Sequence, residues 1–385
     1  MFNRKGRFGL ATLACVGLAI AISTPAAAWE RGSVENFTAP SGSPMMEGLT
    51  VGRDGNVYVS TFDPTGSTGE PAQVLTFSPD GTLLNRKALF LSTPFPGETQ
   101  PSTAMLGVAF PPGMDALYVI DFGKGNVLSV NPKTGASSVC ITLPVANPAP
   151  PKNGLNALTF DAAGNTYVSD SFAGIIWKLN GKACGPAEAW VPENDLLKPN
   201  PCTNSIDPTT CNSNSTGGFF GIPPFGANGV EFDSKGDMFV CNTAFDTIVK
   251  IPVTGGMPGT PVVFTNSING CDGIAIDKSD NIWAAANQAD EIVVVNPSGK
   301  AIAKLGDFDG VQGGVTSGLL FPASPAFSKD GQSLFVTNLE LDLRTILPFG
   351  PLVGQTVDSQ WAAKVKQHSI AKLEAQIPQA SGNSQ

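Results

Sequence analysis

Glu47, Asn156, Asn228 and Asp272 each open a similar stretch of sequence: EGLTVGRDGNVYVS, NALTFDAAGNTYVS, NGVEFDSKGDMFVC and DGIAIDKSDNIWAA. Two further copies, LGVAFPPGMDALYV and ASPAFSKDGQSLFV, open on the apolar residues Leu106 and Ala323. The shared first position thus carries two carboxylates and two amide carbonyls, all hard oxygen donors. Such a set suits Ca²⁺, which takes about six to eight oxygens and leaves places for water and substrate. Softer metals would want Cys or imidazole; neither stands in this register, and the chain's one histidine is His368. Asn and Asp at strand entrances often only bond turn backbone. That explanation covers any one of the four, and it covers Asp121, Asp170, Asn242, Asn287 and Asn338 at the ends of the following strands. It does not cover a glutamate in the same register, nor two carboxylates converging with no cation to offset their repulsion.

The copies that carry these residues are hairpins. Each is a short apolar strand, a Gly/Asp/Asn turn and a second strand rich in Val, Tyr, Phe or Trp. A third strand follows in NVLSVNP from Asn126, IIWKLN from Ile175, TIVKIPV from Thr247 and EIVVVNP from Glu291. A fourth shows in SSVCITLP from Ser137 and TPVVFTN from Thr260. Four antiparallel strands recurring at 44 to 72 residues predict an all-β, six-bladed β-propeller. The last copy returns with SIAKLEA at Ser369 and lacks a fourth strand, whereas SVENFTA at Ser33 has no blade of its own. The N-terminal strand is therefore expected to close the last blade and cover its edge.

In such a fold the first residue of each inner strand faces the axis near one face, and the long connections lie on that face. These are 91–105, 191–227, 309–322 and 343–367. Long loops on a rigid scaffold usually carry function. Residues 191–227 form an insertion on this face; its Phe219, Phe220 and Phe225, with Leu320 and Phe321, would give the entrance an apolar lining or simply pack the insertion down. His368 ends the last of these loops, and the simpler expectation for it is a surface position.

The segments EGLTV, NALTFDAAG, NGVEFD and DGIAID resemble the inner-strand motifs of the senescence marker protein, gluconolactonase and luciferin-regenerating enzyme family; diisopropyl fluorophosphatase shares the Glu/Asn/Asn/Asp plan. The resemblance implies a six-bladed propeller with a catalytic divalent ion, usually calcium, that hydrolyses lactones or related esters. It also implies metal ligation by Glu47, Asn156, Asn228 and Asp272. The chain departs from the family pattern at Ala157, where an acid is common, and has Lys152 in place of an arginine just before Asn156. Both departures point away from a sugar lactone.

Residues 1–28 read as a signal peptide: Arg4, Lys5 and Arg7, an apolar run to Ile22, and an A-x-A site at Ala26-Ala27-Ala28. Residues 29–385 are then a single domain, periplasmic or secreted, with no membrane span. Loss of the leader's three basic residues moves the net charge from −9 to −12, which disfavours nucleic acid as a partner. High Gly and Pro (43 and 32) with 14% charged residues fit many short strands. Six cysteines remain in an oxidising compartment. Cys202 with Cys211, Cys241 with Cys271 and Cys140 with Cys184 are the expected disulfides.

Hydrolysis in this setting needs a carbonyl activator and a base. The ion would polarise the carbonyl of a small lactone or ester substrate. Asp272 or Glu47 would take a proton from water, and the resemblance favours Asp272. No G-x-S-x-G elbow occurs, and a chain with one histidine cannot easily assemble a Ser-His-Asp triad. The rival expectation is a non-catalytic propeller that binds a ligand or protein around a structural calcium ion.

Overall fold

The six hairpin copies become six four-stranded antiparallel units in the computed structural model, which describes residues 31–63, 70–89, 103–122, 124–144, 153–180, 184–199, 225–342 and 357–377. The innermost strands are Met45–Val51, Thr103–Ala109, Leu155–Phe160, Ala227–Phe232, Cys271–Ile276 and Pro322–Phe327. The chain is all-β, with one α-helix, Val357–Ala362, and one 3-10 turn, Thr243–Phe245, among the described residues. The third strands lie where the sequence places them: Asn126–Val130, Ile175–Leu179, Thr247–Ile251 and Glu291–Val295. In the sixth unit the order is Val34–Thr38, Ile370–Glu374, Ser333–Asn338, Pro322–Phe327, so the N-terminal strand pairs with the returning C-terminal one (Val34 opposite Leu373).

The hairpin turns explain their own sequence. In DAAGN, Asp161 Oδ1 accepts from Ala163 N and Asn165 N, while Oδ2 accepts from Asn165 Nδ2 and Tyr167 Oη. In DKSDN, Asp277 repeats the pattern with Ser279 N, Asn281 N and Trp283 Nε1. One carboxylate thus closes the turn and anchors the aromatic at the second position of the following strand, an Asx-type economy available only to a short acidic side chain.

The core lies between neighbouring units rather than inside any one of them. Tyr167 and Trp190 of the third unit pack on Val230 and Met238 of the fourth. Phe239 and Ile248 of the fourth pack on Ile274 and Ile282 of the fifth, and Trp283 and Val294 of the fifth on Leu334 and Val336 of the sixth. Phe335 and Ile370 of the sixth meet Leu49 and Phe77 of the first. Each buried side chain contributes about 1.5–3 kcal/mol, so every unit depends on two neighbours.

Around the axis the inner strands approach closely because the residue after each axial position is small: Gly48, Gly107, Ala157, Gly229, Gly273 and Ser324. An ideal Cβ on Gly107 would lie 2.6 Å from Asn156 O, and on Gly273 2.6 Å from Ala323 O. On Gly229 it would lie 2.7 Å from Gly273 Cα and against Asp272 O. These are backbone atoms and cannot step aside. Gly229→Ala should therefore destabilise by about 2 kcal/mol or more, read as a lower urea midpoint at unchanged m. Ala157 belongs to this same small-residue ring.

Two features differ from the sequence reading. The first and second units share one sheet, because Phe62 and Asp63 pair with Ala104 and Thr103. Two small hairpins, Val253–Thr254 with Met257–Pro258 and Phe308–Gln312 with Val315–Gly318, add strands the repeat does not contain. The predicted leader (1–28), the Cys202 and Cys211 pair, Phe219, Phe220 and Lys152 all lie outside the described residues.

Candidate functional site

Every inner strand breaks register at its axial residue. The pairing shifts between Met46 and Leu49, Leu155 and Leu158, Ala227 and Val230, and Cys271 and Ile274. Glu47, Asn156, Asn228 and Asp272 therefore sit in β-bulges, not at the strand starts expected from sequence. A bulge bends the strand and re-aims one side chain, here once per unit in the same register. All four are buried, with 4–5% of their surface exposed.

The amides are held from behind. Asn156 Nδ2 donates to Ser171 Oγ (3.3 Å), which donates to Ala227 O (2.5 Å). Asn228 Nδ2 donates to Thr243 Oγ1 (2.9 Å), which donates to Cys271 O (2.7 Å). Each chain runs from one unit's axial residue to the next unit's backbone. With the NH₂ groups committed, each Oδ1 is the free end, and neither accepts a hydrogen bond among the described residues.

Asp272 accepts from Asn287 Nδ2 (3.1 Å) and from the Asn228 side chain. Asn287 stands in the register of Ser171 and Thr243, fifteen residues after its axial partner in each case. The sequence reading grouped it with structural strand ends, and the structure corrects that. The true strand ends do serve backbone. Asp170 accepts from Gly154, Phe172 and Ala173 N; Asn242 donates to Leu196 and Lys198 O; Asn338 bonds Leu320 N and Gly318 O. Room for Asn287 comes from Gly270 (φ +62°), where a Cβ would collide with Asn287 Oδ1.

The electrostatics are unfavourable without a cation. Burial, then the nearby Asp272 charge, push Glu47 well above the usual carboxylate range. Burial pushes Asp272 up to about 7, against the opposing hydrogen bonds from Asn287 and Asn228. Glu47 Oε2 and Asn287 Oδ1 are buried with no hydrogen-bond partner, a costly state for polar atoms. No Lys, Arg or His pairs with either carboxylate among the described residues. Nor do three or more Asp, Glu, His or Cys side chains gather anywhere in them, so the donor set is carboxylate plus amide. Two carboxylates, two outward amide oxygens and unpartnered buried oxygens fit a hard divalent ion.

The surroundings divide by unit. Behind the third, fourth and fifth axial residues stand Ser171, Thr243 and Asn287. In the first, second and sixth units Phe62, Leu106, Phe122, Ala323 and Leu339 form one apolar cluster, joined by Phe225 and Phe321. Phe225 packs on Phe122 and Phe172 with centroids 5.9 and 5.5 Å away. Leu320, expected at the entrance, is fully buried. His368, expected on the surface, is half-buried and bonded to Glu340.

Two of the expected disulfides are present: Cys140–Cys184 and Cys241–Cys271, with Cα atoms 5.0 and 5.3 Å apart. The second joins the fourth and fifth units next to Asp272 and the Thr243 link. Replacing Cys241 and Cys271 together by alanine should cost about 3–4 kcal/mol, measurable by urea unfolding.

Residues 225–339 match the model of the SMP-30/Gluconolactonase/LRE-like region. That span includes Asn228 and Asp272 with the NGVEFD and DGIAID motifs, and bears out the resemblance there. Among solved structures it is similar to a luciferin-regenerating enzyme (TM-score 0.57, 12% identity, covering 89% of this chain and 95% of that one). It is also similar to regucalcin, a calcium-binding protein from Agrobacterium tumefaciens (0.54, 16%, 89% and 97%). A gluconolactonase from Xanthomonas campestris is a further match (0.53, 12%, 91% and 99%). At these identities the likeness establishes the fold, an all-β, propeller-like chain. No curated protein matches the sequence.

Proposed function

We propose that the six units are the blades of one propeller closed by the N-terminal strand, and that the protein is an exported, metal-dependent hydrolase of a lactone or related ester. Support for the ring comes from bonds that pass from unit to unit, such as Ser60 Oγ to Leu106 O and Thr337 Oγ1 to Glu47 O (both 2.6 Å). Export is supported by the leader-like first 28 residues and by the two disulfides. Lactone hydrolysis is supported by the family region and by the gluconolactonase-like fold.

The observation that carries the reading is the buried pair Glu47 and Asp272, which has unpartnered oxygen nearby and no counter-charge among the described residues. Glu47, Asn156, Asn228 and Asp272 would hold one ion, best Ca²⁺. A bound ion supplies Lewis-acid polarisation of the substrate carbonyl. Asp272 takes the proton from the attacking water, its Oδ2 held in place by Asn287. Glu47 balances charge across the axis, and the amide oxygens of Asn156 and Asn228 complete the donor set. The apolar half of the ring favours a substrate with an alkyl or aryl side over a polyhydroxylated sugar lactone.

The test is a panel of aliphatic, aromatic and sugar lactones with purified protein. Hydrolysis abolished by EDTA and restored by calcium is expected. Calcium binding with no turnover across the panel would instead favour a ligand-binding propeller with a structural ion.

A further inference from the structure

The Cys241–Cys271 bond occupies a joint that other units make with hydrogen bonds. Cys241 ends the fourth hairpin copy as Ser60 ends the first, and Ser60 Oγ donates to Leu106 O of the second unit (2.6 Å). Thr337, at the same place in the sixth unit, donates to Glu47 O of the first (2.6 Å). Each hydroxyl thus holds the axial residue of the following unit by its carbonyl. Between the fourth and fifth units a covalent bond does this instead, through the residue before Asp272. Both cysteines are fully buried, and Cys271 pairs with Ala286 just before the bulge that aims Asp272.

The bond is tied to two of the four oxygen donors. Cys241 lies two residues before Thr243, whose Oγ1 accepts from Asn228 Nδ2 and donates to Cys271 O, and Asp272 follows Cys271 directly. One unit earlier, the relay from Asn156 through Ser171 to Ala227 O has the same hydrogen bonds but Ser169 and Ala227 in the places of the cysteines. That unstapled relay positions Asn228, a neutral amide; the stapled one positions Asp272, which lies near the Glu47 charge. Ala227–Asn228 and Cys271–Asp272 are each flanked by two glycines, which leave the backbone freer than other residues would. The difference between the two relays is therefore charge. The covalent anchor stands where a carboxylate must be held against repulsion.

We propose that the Cys241–Cys271 disulfide is a positioning element of the metal site and makes calcium affinity depend on the redox state of the chain; this rests on the metal-site reading above. With the bond formed, Asp272 is held beside Asn228 before an ion arrives, and binding carries no cost of ordering it. With the bond reduced, the stretch from Gly270 to Gly273 can relax away from Glu47, and the ion must reorder it. Reduction takes two glutathione thiols. They supply two electrons and two protons, the S–S bond opens to two cysteine thiols, and glutathione disulfide leaves. By linkage, the factor that oxidation adds to calcium affinity is the factor that calcium adds to the stability of the disulfide. The site is complete only in an oxidising compartment, and a chain still in a reducing one holds the ion weakly.

The test titrates calcium into EDTA-stripped wild type, Cys241→Ala/Cys271→Ala and Cys140→Ala/Cys184→Ala, each checked for folding by circular dichroism. The first double variant should bind calcium about 10–100-fold more weakly. The second loses a bond that starts in the outer strand Ser137–Thr142 of the second unit, and its Kd should stay within about twofold of the wild type. Wild-type protein in glutathione buffers gives a readout that needs no variant, and it decides alone if the first variant does not fold. Calcium should raise the reducing strength needed to open Cys241–Cys271 by the same factor, read by alkylating the freed thiols, and should shift Cys140–Cys184 by about twofold or less. An unchanged Kd in the first variant, equal losses in both, or a Cys241–Cys271 midpoint that calcium does not move would overturn the proposal and leave the metal site standing. Wild-type protein that binds no calcium overturns the metal site and the proposal together.

Discussion

Asp272→Asn is expected to lower kcat/KM for any hydrolysed lactone by about 10³-fold or more, and at the same time to make the metal-free protein more stable. Both effects come from one carboxylate. Asp272 is buried beside Glu47, and burial, which disfavours its charge, pushes its pKa up to about 7. Asparagine keeps the shape, and its one carbonyl oxygen can still accept from Asn287, but it removes the charge and the base together. In EDTA at pH 8 the variant's Tm should exceed that of the wild type by about 2–6 °C. Differential scanning calorimetry and lactone kinetics on the same preparation check both halves. A variant that loses activity because it unfolds would show the opposite change in Tm.

Calcium should stabilise the protein much more at pH 8 than at pH 5. Glu47 and Asp272 both have folded-state pKa values raised by burial. The metal-free folded state then holds protons that the unfolded chain releases, so the unfolding free energy falls as pH rises. For Asp272 the full stability is present below its ordinary value of 3.8 and is lost as pH climbs to about 7. The loss for a shift of that size is on the order of 4 kcal/mol, or roughly 5–10 °C in Tm for a chain of this length. Calcium binds the ionised pair and offsets the loss. The expected record is a Tm in EDTA that declines from pH 5 to pH 8, and a calcium-loaded Tm that changes little. Parallel curves with and without calcium would mean that the ion does not bind at these carboxylates.

Much of the architecture could be read from the sequence because each unit repeats one local pattern. The hairpin copies, the third strands and the partner strand at Val34–Thr38 are set by turn chemistry and alternation, which are local. The pairs Cys140–Cys184 and Cys241–Cys271 followed from strand placement alone. The bulges were not visible. They arise where neighbouring inner strands crowd at the axis, and they shift the axial residue from the strand start to a position inside it. Asn287 was misplaced by one residue for a related reason. Its strand ends at Ala286, whereas those of Asp170 and Asn242 end on the polar residue itself. A register count from Asp272 would have matched Asn287 to Ser171 and Thr243. The His368–Glu340 pair joins residues 28 apart with no motif between them, so only tertiary structure reveals it.

Titration calorimetry of calcium into EDTA-stripped, desalted protein bears most directly on the metal centre. The wild type should bind one ion per chain, and the Glu47→Gln/Asp272→Asn double variant should bind at least about 100-fold more weakly with its fold intact. Wild-type protein that takes up no calcium at millimolar concentration, or a double variant that binds as tightly as the wild type, would contradict the assignment of these four residues.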